Sequence, residues 1–170
     1  MKSFMLFAFL CSASFGEPLF KAETINPDGS DRPVLVVTLA NGQKILSKKS
    51  IYQAEATKLS IKNNILIMSY EGGARSKWTD VLKWRLNSKK KDFVLIGRTY
   101  DIEDTVGNYP SERFDANYVI GNLDRTVGKK KKSCSFKSKK TYLTTYDFPD
   151  DKDDSLKELE KACSMKIDRD

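Results

Sequence analysis

The sequence predicts a mainly β protein: an antiparallel, hairpin-built sheet, arranged as a sandwich or an open barrel, with one C-terminal α-helix. Three observations carry that prediction. Asn41-Gly42 and Asn63-Asn64 each stand between apolar runs, and such pairs supply the positive φ that tight hairpin turns require. The run FVLIGRTYDI over 93–102 is rich in apolar, β-branched and aromatic residues, the side chains that suit a half-buried pleated surface. Helical spacing joined to a start signal occurs only near the end, at Leu156, Leu159 and Cys163.

The first segment is not expected to belong to the domain. Lys2 gives MKSFMLFAFLCSASFG a basic start, Phe4 to Leu10 is unbroken apolar, and Ser14 and Gly16 sit at −3 and −1 of a cut before Glu17. This is the layout of a secretory signal, and its apolar part is far shorter than the roughly 20 residues that span a bilayer. Residues 1–16 therefore read as a signal peptide and 17–170 as a single exported β-rich domain with no transmembrane segment. Leu10, not a small residue, precedes Cys11, which argues against acylation, so Cys11 leaves with the leader. A periplasmic or secreted location follows. Of the cysteines only Cys134 and Cys163 then remain, and an oxidising compartment pairs them as one disulfide.

Along the domain the strand signals begin at Pro33. VLVVTLANGQKIL reads as a hairpin with a type I′ turn at Asn41-Gly42. In KLSIKNNILIMSY a turn at Asn63-Asn64 pairs Lys62 with Ile65, Ile61 with Leu66 and Leu59 with Met68. That register puts Leu59, Ile61, Leu66 and Met68 on one face and Lys58, Ser60 and Lys62 on the other. SKWTDVLKWRLN reads as a strand with Trp78, Leu82, Trp84 and Leu86 on one face, interrupted by Asp80. RFDANYVIG alternates so that Phe114, Ala116, Tyr118 and Ile120 point inward, and SCSFKSKKTYLTTY supplies a last long strand. The helix is expected over about 155–166, with Ser155 and Glu158 as a capping box and Cys163 on its core side. Asp150, Asp151, Asp153 and Asp154 suit the helix start and lack the alternating spacing and central glycine of a calcium loop.

The chemistry is limited by what is missing. The chain has no histidine, which removes Ser-His and Cys-His nucleophile pairs and most zinc sites. No metal or cofactor is implied and no catalytic set stands out. Asp101, Glu103 and Asp104 form the one tight acidic group outside the C-terminal run, and carboxylate pairs can hydrolyse glycosidic bonds. EGGAR carries two glycines but no following helix signal, so it reads as a turn and not a phosphate cradle.

Charge gives the remaining signal. The net charge is +7, which in an exported protein points to anionic envelope partners and not to nucleic acid. From Arg125 to Lys140 there are eight basic residues and no acidic one. Lysines Lys129, Lys130, Lys131, Lys132, Lys137, Lys139 and Lys140 are thus candidate binding residues, with edge-strand protection as the competing role. The loop Thr105 to Glu112 adds Asn108 and Tyr109 as a candidate insertion element, since tyrosine often anchors interfaces.

The succession SYEGGARSKWTDVLKWRL, DFVLIGRTYD, NYVIGNLDRTVGKK resembles small exported β-rich envelope proteins of Gram-negative bacteria. The likeness implies fold and compartment and no catalytic role. In size, export and disulfide the chain is also similar to periplasmic immunity proteins that neutralise cell-wall hydrolases. The leading expectation is a periplasmic protein-binding module of inhibitor or immunity type, not an enzyme, with an acidic protein partner in the envelope. The alternatives are a glycan-active enzyme using carboxylates, or a basic protein binding anionic lipid or lipopolysaccharide.

Overall fold

The computed structural model describes residues 19–25, 33–47, 56–146, 148 and 154–165. The expected leader over 1–16 and the aspartates Asp150, Asp151 and Asp153 lie outside them. Within them the chain is mainly β, as the sequence predicts. Strands β1 (Phe20–Ile25), β2 (Val34–Leu39) and β3 (Lys44–Leu46) make a small antiparallel sheet in the order β1-β2-β3. Seven more strands follow: β4 (Ala56–Lys62), β5 (Ile65–Gly72), β6 (Ser76–Asn87), β7 (Asp92–Asp104), β8 (Glu112–Asn117), β9 (Asn122–Val127) and β10 (Lys130–Ser135). They form an antiparallel meander in simple chain order from β4 to β10, open at both edges. A 3-10 turn (Leu143–Thr145) and one helix, α1 (Asp154–Ala162), complete the described chain.

The β4–β5 hairpin has the register that turn chemistry and burial dictate. Lys62 pairs with Ile65, Ile61 with Leu66 and Leu59 with Met68, and both turn residues adopt positive φ, 52° at Asn63 and 57° at Asn64. The β2–β3 hairpin differs from expectation. Leu39 donates its N–H to the Gln43 carbonyl, so Ala40, Asn41 and Gly42 form a three-residue loop in which only Gly42 has positive φ (82°). Ala40 has joined the turn, leaving one left-handed position where a type I′ turn needs two.

One face of the meander is the core. The small sheet packs on it through Phe20, Leu35, Val37 and Ile45, which join Leu66, Met68, Tyr70, Leu82, Trp84, Phe93 and Leu95. Leu143, Tyr146 and Phe148 fill the same cluster from the segment after the sheet. The two sheets thus form an open sandwich. Farther along, α1 covers the β8–β9 part of that face: Leu159 and Cys163 are buried against Phe114, Ala116 and Leu123, with Leu156 half-buried beside them.

Three boundary expectations are corrected. Ile120 is 72% exposed, because Asn117 ends β8 by accepting the N–H groups of Val119 and Ile120 on its own Oδ1. Local side-chain bonds to the backbone there override the alternation. The last strand stops at Ser135: Phe136 N–H still reaches the Gly121 carbonyl in the β9 register, but by Thr141, whose carbonyl accepts Leu95 N–H, and Tyr142, which bridges to Val94, the chain has crossed from β9 to β7. Finally α1 begins at Asp154, which puts Ser155 inside the helix, and ends at Ala162 rather than 166. β1, ahead of Pro33, was not expected from the sequence.

Candidate functional site

The meander has two ends. The connections 73–75, 105–111 and 128–129 lie at one, and the turns 63–64, 88–91 and 118–121 at the other. The insertion loop predicted from sequence is at the first end, and Asp104 organises it. Its Oδ1 accepts the Val106 N–H at 3.0 Å, while Oδ2 accepts those of Asn108 at 2.8 Å and Tyr109 at 3.0 Å. The bond from Val106, then those from Tyr109 and Asn108, with Arg75 adding attraction, hold the Asp104 carboxyl below its ordinary value. Thr105 ties the loop base to the β5–β6 connection, giving both its N–H and its hydroxyl to the Arg75 carbonyl. Gly107 has φ of 78°, the left-handed conformation that lets the loop reverse. This frame presents Val106 and Tyr109, 60% and 64% exposed.

The three acidic candidates do not converge. Asp101 and Glu103 point to the outer face of the sheet, opposite Thr79 and Lys77 on β6. Asp101 forms a cross-strand ion pair with Arg113, at 3.2 Å to Oδ1. Both acids border an open groove of about 540 Å³ that also takes in Lys77, Ser111, Arg113 and Thr126. Asp104 turns instead into its own loop. Among the described residues no group of three or more His, Cys, Asp or Glu is placed to hold a metal ion.

Strand geometry divides the lysine run. β10 is an edge of the large sheet, and successive side chains of a strand face opposite ways. Lys132 stands opposite Arg125 and Lys130 opposite Val127, which puts both on the core side. Lys131 faces out and pairs with Asp124 at 2.9 Å. Asp124 lies below its ordinary carboxyl value, mainly through the Ser133 hydroxyl and then Lys131. Lys129 is exposed in the turn before β10, whereas Lys137, Lys139 and Lys140 are exposed on the irregular segment after it. Lysines on an edge strand also oppose sheet-to-sheet pairing.

Cys134 and Cys163 are joined, with Cα atoms 5.6 Å apart. The disulfide is one of three ties on the same turn. Arg125 donates Nη1–H to the Cys163 carbonyl at 3.0 Å, and Lys132 donates from Nζ to the Ser164 carbonyl at 2.9 Å. Two cations thus meet the negative end of the α1 dipole, and the exit of the helix is held to the sheet. Arg125 is buried on the Phe114 ring, 4.9 Å from its centroid, and is paired with Glu112 through Nε–H at 2.6 Å.

Comparison with protein-family models, with curated protein sequences and with solved structures returns no match. Sequence reasoning missed three features of the surface and core. The buried pair Asp80–Arg98 and the part-buried pair Glu112–Arg125 join residues on different strands, so no local pattern marks them. The exposed Val119 and Ile120 fall where the alternation predicts strand; the Asn117 and Gly121 that bracket them are the available signal, because Asn and Gly favour turns.

Proposed function

We propose that the chain is an exported binding module of the cell envelope that occludes an envelope-targeted enzyme, in the manner of inhibitor and immunity proteins. The observation that carries this reading is the Asp104-organised loop. A segment already held by three backbone bonds loses little freedom on docking, and an exposed aromatic at its tip is the kind of side chain that anchors interfaces. The Cys134–Cys163 bond supports an oxidising compartment. Engagement of Asp101 by Arg113 and of Asp104 by its loop favours binding over carboxylate catalysis. On this reading the acidic partner sits at the loop end of the meander, where Arg75, Lys77 and Lys129 supply positive charge.

The test is capture of envelope proteins on the immobilised disulfide-bonded chain, followed by an activity assay of the retained protein. The chain is expected to inhibit that activity. Tyr109→Ala is expected to weaken inhibition by about 30-fold, as truncation of an interface anchor does, while Asp101→Asn with Glu103→Gln leaves it unchanged. Glycan hydrolysis by the chain itself, abolished by the paired amide substitutions, would instead establish an enzyme.

A further inference from the structure

At the end of the meander opposite Tyr109, the β8–β9 turn exposes two adjacent aliphatic side chains, Val119 at 58% and Ile120 at 72%. The turn is well built. Asn117 Oδ1 accepts the N–H groups of both residues, the Asn117 carbonyl accepts the Gly121 N–H at 2.9 Å, and Gly121 has φ of 67°. A Cβ at Gly121 would lie 2.5 Å from the Phe136 carbonyl oxygen, so the next segment presses directly on the turn. Phe136 N–H donates to the Gly121 carbonyl at 2.8 Å, and the Ser138 hydroxyl donates to the Tyr118 carbonyl at 2.8 Å. Behind the tip the rings of Tyr118 and Phe136 pack edge to face, 5.4 Å apart. The apolar tip is therefore displayed by the fold, not left over from a fraying end.

Its surroundings are basic. The segment bonded to the turn carries Lys137, Lys139 and Lys140, all exposed. The β6–β7 turn, with Lys89, Lys90 and Lys91, belongs to the same end. There Asn87 pairs with Asp92 four residue pairs beyond the Lys83–Gly97 level at which β8 stops. Among the described residues the acids near this end include Asp115 and Asp124, opposite each other on the outer face two residues from the turn; Asp115 is exposed, and Asp124 is paired with Lys131. Asp92 is buried, bonded to the Thr144 hydroxyl and the Phe93 N–H, and Glu158 on α1 borders the neighbouring groove with Lys137 and Lys139.

We propose that this end docks on an anionic lipid surface, with Val119 and Ile120 entering the boundary of the acyl chains and the lysines facing the head groups. Burial of apolar side chains and attraction of a basic rim to anionic lipid act together in surface-bound proteins. An acidic protein would be met by the lysines but gives no reason for two consecutive aliphatic residues at the tip of a rigid turn. Because Tyr109 points from the other end, the chain can lie on a membrane and still present its insertion loop.

The test uses the disulfide-bonded chain and sedimentation with vesicles of phosphatidylcholine, alone or with one-third phosphatidylglycerol. Binding is expected only with the anionic lipid, and is expected to fall as salt rises and the screening length shrinks from about 10 Å at 0.1 M to about 3 Å at 1 M. Val119→Ser with Ile120→Ser is expected to weaken it by about tenfold or more. Lys137, Lys139 and Lys140 replaced together by glutamate are expected to abolish it. In Ile120→Trp, emission is expected to shift to the blue on vesicles and to be quenched by brominated acyl chains. The proposal is overturned if the anionic vesicles are not bound, if the double serine variant binds as well as the parent, or if soluble polyglutamate is bound at this tip and vesicles are not.

Discussion

The guanidinium of Arg98 on β7 grips the carboxylate of Asp80 on β6 with two parallel bonds from one edge, Nη2–H to Oδ2 at 2.7 Å and Nε–H to Oδ1 at 2.9 Å, while their side chains are only 1% and 3% exposed. The pair lies on the inner face beside Leu82 and Tyr70, and Arg98 also stands 5.7 Å from the centroid of the Tyr100 ring, which Trp78 stacks against. An ion pair so far from water is stabilising only while both partners are present, because either charge left alone keeps its full desolvation cost.

Asp80→Ala is therefore expected to destabilise the fold by about 3–5 kcal/mol, and Arg98→Ala by a similar amount. The joint replacement Asp80→Leu with Arg98→Met should recover most of that loss, since two apolar side chains carry no stranded charge. Urea unfolding of the three variants decides the matter. A double variant as weak as the singles would mean that the pair holds the strands in place beyond mere neutralisation.

How much of this was legible follows from where the partners lie. The β4–β5 hairpin was readable because the turn pair, the alternation and the register are local and agree. Asp80 was visible as a break in an apolar face, but Arg98 is 18 residues away across a turn, and only the register reveals that they meet. A bulge in β7 hides it further: Ile96 has no partner on β6, since Lys83 pairs with Gly97 and Trp84 with Leu95, so the facing of Arg98 is reversed from simple alternation with Leu95. β1 escaped notice because FKAETI presents only one fully buried side chain, Phe20. That 105–111 is a connection was legible from Gly107 and Pro110, whereas the lysine run reads in sequence as one surface and the pleat of β10 splits it.

The clamp on α1 gives a prediction about non-additivity. Removing the disulfide with Cys134→Ser and Cys163→Ser should cost about 3–4 kcal/mol, the chain entropy regained by a loop of about 30 residues. Arg125→Met should also destabilise, because it strands Glu112 and frees the Cys163 carbonyl. Both changes loosen the same turn, so the triple variant should lose clearly less than the sum of the two. Hydrogen exchange should show α1 opening before β5, β6 and β7; equal protection would remove the helix from the description of a separately tied element.

Asp104 sets the pH range over which the 105–111 loop keeps its order. Its carboxyl is held below the ordinary value, so the contribution it makes to loop order is complete above the unfolded aspartate value of about 3.9 and is lost as pH falls through the lower folded value. The amide signals of Val106, Asn108 and Tyr109 should stay unchanged through mildly acidic pH and move together below that range. Asp104→Ala should abolish the movement and speed exchange of those amides, while the global unfolding midpoint stays close to that of the parent because the site is on the surface. A transition above pH 4 would show that the carboxylate does not hold the loop.

The opposite limb of the pH profile belongs to Tyr70. Burial pushes its phenol well above the ordinary value, and Tyr146 and Asp80 nearby push in the same direction, against a smaller opposing pull from Arg98. A raised folded value means that the unfolded chain releases this proton first. The stability due to neutral Tyr70 is thus complete below the unfolded value of about 10 and declines as pH rises beyond it toward the folded value. Among the described residues the hydroxyl makes one long contact, donating to the Met68 sulfur at 4.0 Å. Tyr70→Phe should accordingly cost no more than about 1 kcal/mol at neutral pH while moving the midpoint of alkaline unfolding upward. The measurement is far-ultraviolet dichroism against pH for parent and variant, kept short enough at each pH to leave the disulfide intact. An unshifted alkaline midpoint in Tyr70→Phe would assign the alkaline limb to another group, and Tyr146, buried at the edge of the Trp84 ring, would be the next to replace.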